Sequence, residues 1–234
     1  MKEKEFIRQQ IWKRLSDLGL SSSVSHSIPR FEGQEQAAER LRGLDPYLKA
    51  RRVFVPPDSA QLEVRLKVLG DGKVLVMATP RLRDGFYGAD QSMPQHLWAR
   101  GVRSFGIRGW GRKLATNKND IGEIDLLVTG VVAVSLSGER IGKGTGYFDL
   151  EYAILREVGS IGAQTPVVAV VHDVQVYDEL PWEENDVSVD FIVTPTRIIA
   201  VESPRPRPSG IDWHRLDGCT IAAMRPLREL TRPE

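Results

Sequence analysis

Between Gly138 and Asp149 the chain reads Gly-Glu-Arg-Ile-Gly-Lys-Gly-Thr-Gly-Tyr-Phe-Asp, with Gly142, Gly144 and Gly146 each two residues apart. Glycines let backbone amides approach an anion closely, and a helix opening behind them adds partial positive charge at its N-terminus. Arg140 and Lys143 flank the turn with full charges suited to neutralising a polyphosphate. Asp149, in the first turn of the following helix, is misplaced for phosphate itself but well placed for a magnesium ion bridging to it. The spacing is neither the dinucleotide fingerprint nor the Walker A loop. On spacing alone, a plain glycine turn ending in a helix-capping aspartate stands as the other reading.

Other chemistries find little support. His26, His96, His172 and His214 are scattered, and no His, Cys or Asp pair has the spacing of a zinc site. No serine sits in a G-x-S-x-G elbow. The single cysteine, Cys219, cannot form an internal disulfide. Residues 101–113, Gly-Val-Arg-Ser-Phe-Gly-Ile-Arg-Gly-Trp-Gly-Arg-Lys, interleave arginines with Phe105 and Trp110. That mix suits a surface that stacks bases and tracks phosphates. The favoured reading is an exposed loop whose aromatics pack onto the domain, which leaves this stretch as the only candidate nucleic-acid patch.

The elements that must position the loop follow from hydrophobic spacing. Residues 3–18 form an amphipathic helix carrying Phe6, Ile7, Ile11, Leu15 and Leu18, stopped at Gly19. A polar linker from Ser21 to Pro29 precedes a helix over Gln34–Leu44. Val53–Val55 is a strand ended by Pro56-Pro57, followed by a helix over Gln61–Leu69 and a strand over Val74–Ala78. Residues 80–122 are irregular. Beyond them come strands at Asp125–Val128, Pro166–Val171 and Asp190–Thr194, with a helix over Tyr147–Val158. Short β-branched runs alternating with helices predict an α/β fold: a mostly parallel sheet flanked by helices, three layers, one domain. Residues 1–203 make up that domain. Residues 204–234, opening with the stiff exposed run Pro-Arg-Pro-Arg-Pro, form a connector and short segment packed on the same domain.

With 234 residues and 41% hydrophobic content the chain can bury a real core. Thirty-two basic residues against 31 acidic ones leave a net charge of +1, which removes any whole-chain electrostatic argument for nucleic-acid or membrane binding. The opening stretch carries no apolar signal core, and the longest apolar run, around Leu126 to Leu136, is too short to span a bilayer. A soluble cytoplasmic protein is expected.

The run Arg-Ile-Gly-Lys-Gly-Thr-Gly-Tyr-Phe-Asp at 140–149 resembles the signature loop RLGxGxGYYD of the 5-formyltetrahydrofolate cyclo-ligase (methenyltetrahydrofolate synthetase) family. Residues 172–194, HDVQVYDELPWEENDVSVDFIVT, are similar to the family's Q…LP…ENDVxVD segment. Lys4 and Arg8 match an amino-terminal Lys-x-x-x-Arg pair. The resemblance implies ATP- and Mg²⁺-dependent conversion of 5-formyltetrahydrofolate to 5,10-methenyltetrahydrofolate, with the formyl oxygen taking the γ-phosphoryl group before ring closure. It implies that Lys4, Arg8, Arg140, Gly142, Lys143, Gly144, Thr145 and Gly146 bind ATP, with Arg140 and Lys143 catalytic. Tyr147 and Phe148 would line the folate pocket, Phe148 standing where the family usually has a second tyrosine. Asp149 and Asp186 would hold the magnesium. Glu63 aligns, with a shift, with a folate-contacting glutamate of the family's GEVDT segment, read here as PPDSAQLEV. Thr129-Gly130 replaces the usual proline-glycine, and Phe105-Gly106-Ile107-Arg108 replaces an aromatic-Gly-Ile-Pro-Glu-Pro stretch, so the chain resembles a divergent member. The alternative is a relative that keeps the nucleotide but takes another acceptor, or RNA.

Overall fold

The computed structural model describes residues 2–21, 25–202 and 204–231. Ser22, Ser23 and Val24 of the polar linker, Ser203, and the last three residues of the 204–234 segment lie outside them.

Eight strands form the main sheet: β1 (Arg52–Phe54), β2 (Val74–Ala78), β3 (Phe86–Ala89), β4 (Arg112–Lys113), β5 (Leu126–Thr129), β8 (Val167–Val170), β10 (Phe191–Val193) and β11 (Ile198–Ala200). A second, three-stranded sheet holds β6 (Ala133–Ser135), β7 (Arg140–Ile141) and β9 (Val176–Tyr177). The order across the main sheet is β11-β10-β8-β5-β1-β2-β3-β4. Its five inner strands, from β10 to β2, run parallel, while β11, β3 and β4 pair antiparallel.

Parallel strands covered on both faces read as unbroken apolar runs, and these do. Along β5, Leu126 and Val128 face one cluster and Leu127 the other. Along β8, Val168 and Val170 oppose Val167 and Ala169 in the same way. One face is closed by the helices Gln34–Leu41 and Leu62–Gly70, through Ala37, Ala38, Leu41, Val64 and Val68. The other is closed by the helix Tyr147–Glu157, through Tyr152, Ala153, Ile154 and Leu155. The three layers and the mostly parallel sheet match the sequence reading.

Several expectations need correction. The helix starting at Gln34 ends at Leu41 rather than Leu44, and a further short helix, Asp45–Lys49, carries the buried Tyr47. Residues 80–122 contain β3, β4 and short helices, and the small sheet was not foreseen. The amino-terminal helix, Lys2–Asp17, buries Ile11 and Leu15 as expected and Trp12 beside them, but leaves Phe6 exposed, as is Leu18 just beyond it. Phe105 stands clear of the core, whereas Trp110 is half-exposed and lines a shallow cavity with Val76 and Leu114. Phe105 is 71% exposed, and Ile107 fills the core in its place. The turn there is tight: a Cβ on Gly106 would fall onto the carbonyl of Arg100.

The Pro-Arg-Pro-Arg-Pro stretch is anchored by its arginines rather than free. Arg205 Nε donates to Glu139 at 2.9 Å, and Arg207 Nε donates to the Ser188 carbonyl at 2.9 Å and pairs with Asp190. Beyond it Ile211, Met224 and Leu227 are buried in the cluster under the helix Tyr147–Glu157. No helix among the described residues is long and apolar enough to cross a membrane.

One polar knot fixes the helices over the first face. Asp71 accepts from Arg42 through Nε at 2.9 Å and Nη2 at 2.7 Å, and from the Tyr47 hydroxyl at 2.8 Å. Burial works against the Asp71 charge, but the Arg42 and Tyr47 hydrogen bonds outweigh it and hold the carboxyl below its usual range. A carboxylate lowered on folding stabilises the native state above its unfolded value, and that contribution is lost as pH falls through the folded value. Asp71→Asn is therefore expected to cost about 1 kcal/mol at neutral pH and progressively less in acid. Urea unfolding of both proteins at the two pH values measures this. An equal loss at both would show that the charge contributes nothing.

Candidate active site

β1 leads through its following helix to β2 on one side, whereas β5, β8 and β10 extend the sheet on the other side. Neighbouring strands β1 and β5 therefore leave their carboxyl ends in opposite senses, and such a switch point opens a crevice for a ligand. Pro56, Pro57 and Asp58 leave β1 there, and Gly130 follows β5. These residues line a cavity of about 460 Å³ together with Tyr147 and Phe148. Phe105 stands at its wall.

The loop after β1 is held from inside the protein. Arg65, 1% exposed, donates to the carbonyls of Val102 at 2.8 Å, of Asp58 at 3.0 Å, and of Pro56. Burial pulls its guanidinium down to about 10, which leaves it charged at neutral pH. Glycine at position 130 is required by close packing: a Cβ would lie 2.6 Å from Gln61 Nε2 and 2.8 Å from Ile28 Cγ2.

The glycine loop is positioned by the small sheet. A tight turn at Gly138, with φ of +87°, folds β7 back on β6, so that Val134 pairs with Arg140. The amino-terminal helix packs on the same sheet through Ile11, Trp12 and Leu15 against Val132, Ala133 and Ile141. That packing carries Lys4 and Arg8 to the loop. Arg8 Nε donates to the Gly142 carbonyl at 2.7 Å, and at Gly144, whose φ is +94°, an added Cβ would lie 3.4 Å from the Arg8 guanidinium carbon. Gly146, in the left-handed conformation, begins the helix Tyr147–Glu157, and no side chain caps it. Its first amides therefore lack partners within the helix.

A second cavity, of about 370 Å³, lies between the amino-terminal helix and the loop. Lys4, Arg8, Arg140, Gly144, Asp149 and Asp186 are among its walls. Arg140, Gly142, Gly146 and Asp149 line both cavities, so the loop is a shared partition. Four cations serve it. Lys4 pairs with Asp186 at 2.6 Å and Glu183 at 3.2 Å. The Arg140 side chain, 4% exposed, pairs with Asp149, lies 4.7 Å over the Phe148 ring, and keeps a buried Nε with no partner among the described residues. Lys143 reaches across to Asp58. Asp149 also accepts from the Val187 amide at 2.9 Å, and Asp186 from the Glu183 amide at 2.8 Å.

The residues fit a triphosphate: glycines in left-handed conformations, an uncapped helix start, four cations along the loop that could exchange their present carboxylate partners for phosphate, and a guanidinium N–H without a partner among the described residues. They fit magnesium in one form. No group of three or more His, Cys, Asp or Glu able to hold a metal occurs among the described residues. Asp149 and Asp186 share one cavity, however, and magnesium commonly takes one or two carboxylates plus substrate phosphates and waters. The pair suits an ion arriving with the nucleotide.

Of the residues singled out from the sequence, Lys4, Arg8, Arg140, Gly142, Gly144, Gly146, Asp149 and Asp186 come together at the second cavity. Lys143, Thr145, Tyr147 and Phe148 face the first. Glu63 comes to neither. It lies in the first turn of the helix Leu62–Gly70, half-buried, and the turn Pro56–Ser59 sets Asp58 on the cavity wall instead. Asp58, Arg65 and Glu151 were missed.

The 5-formyltetrahydrofolate cyclo-ligase family matches residues 1–195, including both blocks that build this partition. The chain belongs to that family. Among curated relatives, the methenyltetrahydrofolate synthase domain-containing proteins of Bos taurus and Homo sapiens are 38% and 40% identical over 99% and 91% of the chain. The chain spans 62% and 57% of their respective lengths. A 5-formyltetrahydrofolate cyclo-ligase of Mycolicibacterium smegmatis is 38% identical over 33% of the chain. Among solved structures, the 5,10-methenyltetrahydrofolate synthetase of Aquifex aeolicus aligns over 91% of this chain and 99% of its own, with a TM-score of 0.57 at 20% identity. At that identity the likeness establishes a cyclo-ligase fold.

Proposed function

We propose that the chain is a cytoplasmic, ATP- and magnesium-dependent cyclo-ligase that converts 5-formyltetrahydrofolate to 5,10-methenyltetrahydrofolate. The observation that carries the reading is the loop 140–149 standing as a common wall between two cavities, one lined by Lys4, Arg8 and Arg140 together with four carboxylates, the other partly apolar at the strand switch point. One side suits a triphosphate and the other a bicyclic acceptor. A phosphoryl group passing between them crosses at Arg140.

In this reading Lys4, Arg8, Arg140 and the backbone at Gly142, Gly144 and Gly146 hold the nucleotide, while Lys143 and Thr145, which face the acceptor cavity, meet its γ-phosphate from the other side of the loop. Asp149 and Asp186 hold magnesium, which supplies charge neutralisation on the phosphates. Tyr147 and Phe148 line the acceptor cavity; Glu63 stands outside it. The formyl oxygen takes the γ-phosphoryl group and ADP leaves. The second folate nitrogen then closes on the activated carbon, loses its proton, and phosphate departs. Such chemistry asks for positioning and charge stabilisation more than for a strong acid or base. That demand matches a site built of glycines, cations and carboxylates.

The test is the absorbance rise of the methenyl product when protein, ATP, magnesium and 5-formyltetrahydrofolate are mixed. A rise dependent on protein and ATP is the expected result. No rise, with ATP analogues still raising the melting temperature, would leave the nucleotide side standing and assign the chain another acceptor. Residues 101–113 would become the place to look for RNA only if the protein were also retained on single-stranded RNA at physiological salt.

A further inference from the structure

Arg205 lies beyond the matched family region, yet its side chain reaches both blocks that build the second cavity. Glu139, the residue before Arg140, is 2% exposed, and one of its carboxylate oxygens accepts from Ser135 Oγ. The other accepts from Arg205 Nε at 2.9 Å, and among the described residues Arg205 is its one ion-pair partner. The same guanidinium lies 5.7 Å from the centre of the Trp182 ring. At that distance the face of an indole attracts a cation. Trp182 in turn precedes the turn that presents Asp186. Its Nε1 donates to the Asp186 carbonyl at 3.4 Å, and the Glu183 amide donates to the Asp186 carboxylate at 2.8 Å. The backbone is held too: Ser188 Oγ donates to the Arg205 carbonyl at 2.6 Å, and the Val187 amide beside it donates to Asp149 at 2.9 Å.

One side chain thus spans from the neighbour of Arg140 to the ring that backs Asp186. We infer that Arg205 is a positioning residue for the nucleotide site, fixing the turn that carries Asp186 against the loop that carries Arg140 and Asp149. The inference rests on the second cavity being the nucleotide side. Arg205 lines neither cavity, so it acts only through Glu139 and Trp182. Groups that orient metal-binding carboxylates from behind commonly change affinity about 10- to 100-fold when removed. A plainer role has to be separated from this one. Losing Arg205 strands a buried carboxylate, which destabilises the fold whatever happens at the cavity.

The experiment titrates a non-hydrolysable ATP analogue by calorimetry, once with magnesium and once with EDTA. The proteins are wild type, Arg205→Met, Trp182→Leu, Arg205→Met with Trp182→Leu, and Arg205→Met with Glu139→Gln, each with its denaturant midpoint. The variant that also carries Glu139→Gln strands no charge, so its midpoint should lie closer to wild type than that of Arg205→Met. Its affinity for the analogue with magnesium should still fall about tenfold, with a much smaller change in EDTA. Trp182→Leu should show the same loss, and adding Arg205→Met to it should deepen that loss by less than about twofold, because the two side chains act in one chain of contacts. Wild-type affinity in the variant with Glu139→Gln, or an equal loss in EDTA, would overturn the inference and leave Arg205 as a neutralising partner of Glu139. Should Arg205→Met fail to fold, that variant and Trp182→Leu carry the test. A wild type that binds the analogue without converting 5-formyltetrahydrofolate would sink the acceptor reading, and the affinities would still decide Arg205. A wild type that does not bind the analogue would overturn both.

Discussion

Replacing Arg140 by methionine should lower turnover by at least about a thousandfold, because in the proposed reading the guanidinium stands where charge on a transferred phosphoryl group would develop. The same change should also destabilise the fold. Arg140 is buried, its partner Asp149 is 25% exposed, and removing one member of a largely buried pair leaves the other uncompensated. A loss of about 3 kcal/mol is expected. The two effects separate in a double variant. Arg140→Met with Asp149→Asn removes the stranded charge, so stability should recover in part while turnover stays lost. Denaturant midpoints and initial rates on the three proteins check this. A single variant retaining more than a tenth of wild-type turnover would remove Arg140 from the chemistry.

Lys143→Met makes a useful contrast. Lys143 and Asp58 are 28% and 19% exposed, a half-solvated pair whose loss should cost no more than about 1 kcal/mol. Activity should nevertheless fall about a hundredfold in kcat/KM for ATP, since in the proposed reading this loop cation exchanges Asp58 for an incoming phosphate. Initial rates across ATP concentrations, with the thermal midpoint as control, decide it. Unchanged kcat/KM would reduce Lys143 to a strut for the loop after β1.

The parallel core was legible because β1, β2, β5, β8 and β10 are apolar and β-branched on both faces, a pattern exposed strands do not sustain. What the sequence hid was structure made of too few residues to show a period. β4 is two charged residues, β3 contains Gly88, and β6 follows β5 after a gap of three residues. The site divided in the same way. Full charges set among glycines announced the nucleotide side, and the paired cations of the amino-terminal helix gave it a second support. Asp58, Arg65 and Glu151 carry no such local signal. An arginine or glutamate within a short helix reads as a solvated face, and only the tertiary packing shows that Arg65 and Glu151 point inward. Glu63 misled for the converse reason. Its type matched the expected role, but the turn before its helix turned it away from the cavity.

The family match ends at residue 195, yet the sheet continues through β11, which covers Phe191, Ile192 and Val193 of β10. A chain cut back to the matched stretch would end with that apolar strand as an open margin, its backbone donors and acceptors unpaired, and would also lose Met224 and Leu227 from the core below. An uncovered, uncharged strand of this kind is a template for pairing with another copy. The residues outside the shared family region thus complete the pairing of β10 and the core beneath the helix Tyr147–Glu157, and a shortened version is expected in the pellet rather than in the supernatant.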